Sequence, residues 1–212
     1  MTDPERAAWH SNVIAASTEA ALGALRDATL LDGFYLAGGT GLALQLGHRL
    51  SRDLDFFMQD HFNEDVFLQR LQKLGGFTLA AKAPHTLHAT IHEAKVSFLG
   101  YTYPVLFPTN SFLEVAVADP RDIACMRLSA IASRGTKRDF IDLYVCVQRY
   151  GLKAILNLFE QKYAQTNYSR IHILKSLSFF DDAERDPLPH MLVALDWDRV
   201  KQFFRKEAPQ LI

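Results

Sequence analysis

Two aspartates, Asp53 and Asp55, follow shortly after a Gly38-Gly39-Thr40 stretch. The run Arg52-Asp53-Leu54-Asp55-Phe56-Phe57 reads as a strand, which puts both acids on one face and Leu54 and Phe56 on the other. Residues two apart on a strand stand about 6–7 Å from each other. Carboxylates that close repel unless a positive charge lies between them. Mg²⁺ (or Mn²⁺) suits the pair, because such an ion takes one or two carboxylates and completes its shell with water and phosphate oxygens. An exposed polar strand face is the plainer reading, but it does not explain why the two acids abut two phenylalanines just after a glycine turn.

The turn suits the partner such an ion would need. Phe34, Tyr35, Leu36 and Ala37 form a short apolar run, consistent with a buried strand. Gly38 and Gly39 let the backbone turn sharply and leave no Cβ between its N–H groups and a ligand. Thr40 is a good N-cap, and Leu42, Leu44 and Leu46 continue as a buried helix. Free N–H groups and the positive end of the helix dipole then point the same way, which favours an anion such as phosphate.

Gly38-Gly39-Thr40 with Asp53-x-Asp55 resembles the signature of the polymerase-β-like nucleotidyltransferases. The fuller stretch LAGGTGLALQLGHRLSRDLDFF is similar to the AbiEii/AbiGii toxin family of that superfamily. A second stretch, Asp122 to Arg127 and Arg134 to Tyr144, resembles that family's later motif. The resemblance spans roughly Phe34 to Pro189. It implies that Gly38, Gly39 and Thr40 hold a nucleoside triphosphate and that Asp53 and Asp55 hold the metal. It also implies a third carboxylate on a later strand, facing the first two. The corresponding position in Lys95-Val96-Ser97-Phe98 is Ser97, which cannot serve as a charged ligand; Glu93 and Glu114 are the nearest alternatives.

Arg127, Arg134, Lys137 and Arg138 cluster within a dozen residues. Arg127 and Arg134 are seven apart and share a helix face. The family more often has lysine at the position of Arg127. Positive charge there could neutralise a triphosphate during transfer, with Arg127 and Lys137 the first candidates and Arg138 beside them; a solvated helix face is the alternative. Asp139 has a structural explanation, since Thr136-x-x-Asp139 matches a capping box. Asp142 can pair with Arg138 at i,i+4. The resemblance nevertheless carries an activity role to Asp139. His48, His85, His88 and His92 are too loosely spaced for a metal site and read as surface or structural residues.

These residues need a scaffold, and the chain can build one. It has 212 residues, 49 % of them hydrophobic, with 15 phenylalanines, ample for one domain or a small pair. A net charge of −1 gives no global pull toward nucleic acid, so any such contact must be local. Cys125 and Cys146 sit in apolar helical context and read as reduced core residues. No run of about 18 apolar residues suggests a membrane span, and the opening Met1-Thr-Asp-Pro-Glu-Arg does not look like a signal peptide. A cytoplasmic protein is expected.

A helix is predicted over 5–31, then the Phe34 strand, the Gly-Gly helix, the aspartate strand and a helix over Glu64–Leu74. Strands follow at Phe77–Lys82, Thr86–Ile91, Lys95–Tyr101 and Phe112–Val117, the second and third of these joined by a hairpin. From Asp119 the pattern is helical, with Asp119 and Pro120 at a helix start, and further helices at 151–164, 167–180 and 196–206. The expected class is α+β: a small mixed sheet in a nucleotidyltransferase core over 1–118, with a helical C-terminal region over 119–212 packed on it.

The expected function is metal-dependent transfer of a nucleotide from a nucleoside triphosphate to an acceptor hydroxyl. The resemblance implies a toxin component of a toxin–antitoxin or phage-defence system, with RNA, tRNA included, as acceptor and a cognate antitoxin as partner. The rivals are a degenerate module that binds nucleotide without transfer, favoured by Ser97, and a small-molecule nucleotidyltransferase, favoured by the low basic charge.

Overall fold

The computed structural model describes residues 9–211. The chain divides into two units. The first runs to Thr102 and takes in Thr109–Val117; the second comprises Tyr103–Pro108 and the chain from Ala118 onward.

The first unit holds a mixed sheet of seven strands: β1 (Phe34–Leu36), β2 (Leu54–Met58), β3 (Phe77–Ala83), β4 (Thr86–Ile91), β5 (Ala94–Gly100), β6 (Asn110–Phe112) and β7 (Val115–Val117). Their order in space is β3-β4-β5-β2-β1-β7-β6. Strand β2 runs antiparallel to β1 and parallel to β5, and β7 runs parallel to β1. Helices α1 (Ala16–Asp27), α2 (Gly38–Leu46) and α3 (Glu64–Leu71) complete the unit.

Period-2 burial explains how the sheet is held. Leu54 and Phe56 of β2, Val96 and Phe98 of β5, and Leu87, Ala89 and Ile91 of β4 are all buried. The first six lie side by side in register, Leu54–Val96–Ala89 and Phe56–Phe98–Leu87, so they share a face. Leu22, Leu25, Phe67 and Leu71 belong to the same core, with Phe34, Phe67 and Phe98 in edge and tilted ring contacts. The opposite face carries Asp55, Ser97 and His88, which are half-buried or exposed.

Several expectations about elements change: the helix expected over Glu64–Leu74 ends at Leu71, and that over 167–180 shortens to Arg170–Ser176. The N-terminal helix begins at Ala16, and residues 5–8 lie outside the described residues. The segment before α1 is tied elsewhere: His10 N–H bonds the Leu44 carbonyl at 2.8 Å and the Val13 carbonyl accepts from Ser51 N–H at 2.9 Å. The single strand expected over Phe112–Val117 is a hairpin, β6–β7, turning through Leu113 (φ 47°) and Glu114 (φ 65°). A two-residue hairpin turn of this kind needs positive φ at both positions and usually announces itself with Asn or Gly; neither is present. Strand β2 begins at Leu54, so Asp53 stands just ahead of it.

The second unit is helical: α4 (Pro120–Ser133), α5 (Lys137–Tyr150), α6 (Leu152–Lys162), α7 (Arg170–Ser176), α8 (Asp181–Arg185) and α9 (Trp197–Glu207). Asp119 caps α4 by accepting from Arg121 N–H at 2.9 Å, with Pro120 in the first turn. Phe140, Phe180, Phe204 and Trp197 pack as an aromatic cluster. Among the described residues no helix is long and apolar enough to cross a membrane.

Candidate active site

Helix α2 starts directly at Gly38, with no intervening loop after β1. Gly38 has φ +60°, a conformation that side chains disfavour. A Cβ built there would come within 2.5 Å of Asp55 Oδ2. Glycine is therefore required twice, by backbone and by space, and the Asp55 carboxylate lies on the first residue of the helix. The Ala37 N–H donates to the Asp55 carbonyl at 2.9 Å, and the Gly41 N–H makes the first helical bond to Ala37 at 3.0 Å. The amides of Gly38, Gly39 and Thr40 precede that bond and have no acceptor inside the helix. Their dipole end faces a carboxylate, an arrangement favourable to anions.

Thr40 does not cap α2, as the sequence suggested: Ala37 occupies the cap position without a side-chain bond, because the helix begins at Gly38. Thr40 is buried inside the first turn. Its hydroxyl donates to the Asp53 carbonyl and shares a hydrogen bond with Ser51 Oγ at 2.8 Å. It thus fastens the aspartate segment to the helix. Asp53 and Asp55 are both half-buried, and buried His48 and Arg49 lead into them.

Across β5, Asp55 pairs in register with Ser97, and Ser97 with His88 of β4. The three side chains therefore stand in one row on the open face of the sheet. His88 Nδ1 lies 3.0 Å from Ser97 Oγ. Among the described residues, no group of three or more His, Cys, Asp or Glu is arranged to hold a metal by itself. His85 is engaged with the Phe62 carbonyl at 3.0 Å.

The other residues singled out by sequence lie in the helical unit. Asp139 is buried and completes the expected capping box with Thr136. Arg127 grips it at 2.7 Å and reaches Asp142 at 2.8 Å; Arg134 approaches Asp139 at 3.6 Å. The i,i+4 geometry suggested Arg138 as the partner of Asp142. Asp142 is buried and pairs with Arg127 of α4, and Arg138 is exposed. Lys137 is buried, with Nζ on the Asp186 carbonyl at 2.6 Å and 5.4 Å from the centre of the Trp197 ring.

Sequence reasoning missed a buried ion pair, Asp122 with Lys162, at 2.8 Å. Asp122 also accepts the Leu106 and Phe107 amides, and Lys162 Nζ donates to the Pro104 carbonyl at 2.6 Å. The partners are forty residues apart and no spacing rule links them. Both cysteines are buried and free. Burial, aided by the Asp122 charge, pushes the Cys125 thiol up to about 12, and burial pushes Cys146 up further still.

A mixed sheet with the glycine-led helix beside the aspartate strand is the architecture of a nucleotidyltransferase. The family described as "Nucleotidyl transferase AbiEii toxin, Type IV TA system" matches residues 20–111 and 100–210, and the chain belongs to that family. The enzyme class is therefore nucleotidyltransferase. An uncharacterized protein of Aquifex aeolicus (strain VF5) is 35 % identical over 185 residues, covering 84 % of this chain and 88 % of its own. Among solved structures, MenT4, a nucleotidyltransferase toxin of Mycobacterium tuberculosis H37Rv, shares the fold with a TM-score of 0.56 at 16 % identity, covering 93 % of this chain and 87 % of that one.

Proposed function

We propose that this nucleotidyltransferase transfers a nucleotide from a nucleoside triphosphate to an acceptor hydroxyl on RNA, with tRNA the first acceptor to test. It would do so in the cytoplasm, as a toxin restrained by a cognate antitoxin. The observation that carries the chemistry is the Asp55 carboxylate seated on Gly38 at the start of α2. In this reading the nucleotide is held by the first unit.

The donor set fits a hard divalent ion. Two half-buried carboxylates, Asp53 and Asp55, leave room in an octahedral shell for water and phosphate oxygens, as Mg²⁺ prefers. Held by these residues, Mg²⁺ or Mn²⁺ would supply positive charge to the phosphate oxygens. The chain's own part is positional. The Gly38 and Gly39 amides offer donors to a phosphate, and the absence of a Cβ lets it approach. Thr40 keeps the aspartate segment against the helix. Arg127, Asp139 and Lys137 have partners inside the helical unit. Their role in this proposal is to build that unit.

The test is calorimetry of each nucleoside triphosphate with and without Mg²⁺, followed by incubation of labelled triphosphates with total tRNA. Magnesium-dependent binding and label on RNA are expected. Failure of every triphosphate to bind would overturn the proposal. Binding without label on any RNA would leave a nucleotide-binding module, the reading that Ser97 favours.

A further inference from the structure

We infer that Ser97 and His88 together do the work of a missing third carboxylate: they take the proton from the attacking hydroxyl. This deepens the nucleotidyl-transfer reading and rests on it. A hydroxyl alone cannot act as a base near neutral pH, but a serine bonded to an imidazole can pass a proton through. The structure supplies that bond, with His88 Nδ1 3.0 Å from Ser97 Oγ. It also supplies the placement. Ser97 is the register partner of Asp55 on β2, and His88 is the register partner of Ser97 on β4. The row runs outward from the proposed metal-binding acid to an exposed ring, which can release a proton to water.

The step balances as follows. The acceptor oxygen bonds to the α-phosphorus, and the bond from that phosphorus to the bridging oxygen breaks. Pyrophosphate leaves with the electron pair. The acceptor proton moves to Ser97 Oγ as the serine proton moves to His88 Nδ1. The ring, neutral beforehand with its proton on Nε2, becomes an imidazolium and later loses a proton to solvent.

The groups facing His88 are few. From β5 come Ser97 and, on the same face, exposed Lys95. Beyond Ser97 lies Asp55 of β2. From β3 the register partner is Ala81; the neighbouring Lys82 points to the other face, where it pairs with Asp65 of α3.

The experiment measures transfer from labelled triphosphates to total tRNA against pH, beside magnesium-dependent triphosphate binding, for wild type, His88→Gln, Ser97→Asp, the double variant and Asp55→Asn. Wild-type transfer should fall on acidification, because a protonated ring can no longer take the serine proton. His88→Gln should bind triphosphate normally but transfer about 10²–10⁴-fold more slowly, without that acidic limb. Ser97→Asp in the His88→Gln background should restore transfer and move the limb toward the carboxylate range. Asp55→Asn should lose binding and transfer together.

Transfer by His88→Gln at the wild-type rate, or a slowed rate that keeps the imidazole limb, would overturn the inference and leave nucleotidyl transfer standing. Wild-type binding without transfer would overturn it too. Loss of triphosphate binding in the wild type would instead sink the functional reading beneath it.

Discussion

The Asp55 carboxylate occupies the space where a side chain on Gly38 would begin, 2.5 Å from the position of its Cβ. Helix start and acidic strand are thereby locked to each other. Gly38→Ala must adopt φ +60° and push that carboxylate aside. A loss on the order of 2 kcal/mol in chemical denaturation is expected, together with loss of triphosphate binding. Asp55→Ala in the same background should recover part of the stability, because the clash is with that side chain.

Asp53→Asn and Asp55→Asn each remove one charged oxygen ligand. Either change is expected to abolish magnesium-dependent triphosphate binding while leaving the far-ultraviolet circular dichroism unchanged. Unaltered binding in both would show that the ion, if used, sits elsewhere.

Thr40→Val keeps the shape and deletes the hydroxyl that reaches the Asp53 carbonyl and Ser51. Thermal and urea denaturation should show a loss of about 1–3 kcal/mol. Triphosphate affinity should fall as well, since the aspartate segment loses its fastening to α2.

The legible part of this protein was local. The apolar run at β1, the bounds of β4 and the Thr136–Asp139 capping box follow from short-range rules, and the structure shows each. The placement of Gly38 beside Asp55 followed from reading strand, turn and helix together. What escaped depends on tertiary context. Leu113 and Glu114 turn a hairpin with no residue type that advertises positive φ. Asp142 has a partner in Arg127 of α4, fifteen residues earlier on another helix, which no spacing rule within α5 announces. Thr40 looked like a cap because cap residues and buried hydroxyl bridges share a side chain. His88 gave no signal, since its pairing with Ser97 exists only through the β4–β5 register.

Lys162→Met strands the Asp122 carboxylate in the interior. Its removal is expected to destabilise by about 3–5 kcal/mol, read from urea denaturation of the whole chain. Replacing Asp122 as well should relieve only part of this, because the Leu106 and Phe107 amides then lose their acceptor.

Burial disfavours the Cys125 thiolate and pushes the folded thiol up to about 12, against an ordinary 9.0 when unfolded. Between those values the folded state holds a proton that the unfolded state has lost, so stability falls as pH rises. It is complete below about pH 9 and drops by about 1.4 kcal/mol per pH unit for each such thiol above it. Urea midpoints at about pH 8 and about pH 10.5 should differ accordingly, and Cys125→Ala should flatten the slope.

The chain visits the second unit at Tyr103–Pro108 before it has finished the first, and returns for Thr109–Val117. During synthesis, β1 keeps an open edge until Val117 emerges to pair with Leu36. By then Leu106 and Phe107 are already out, although Asp122, which accepts their amides, has yet to be made, and Lys162 comes forty residues later still. A nascent chain halted between these points holds its glycine–aspartate corner complete and its helical half without an anchor. Neither half is a contiguous length of polypeptide, so a single cut at any peptide bond cannot yield both intact.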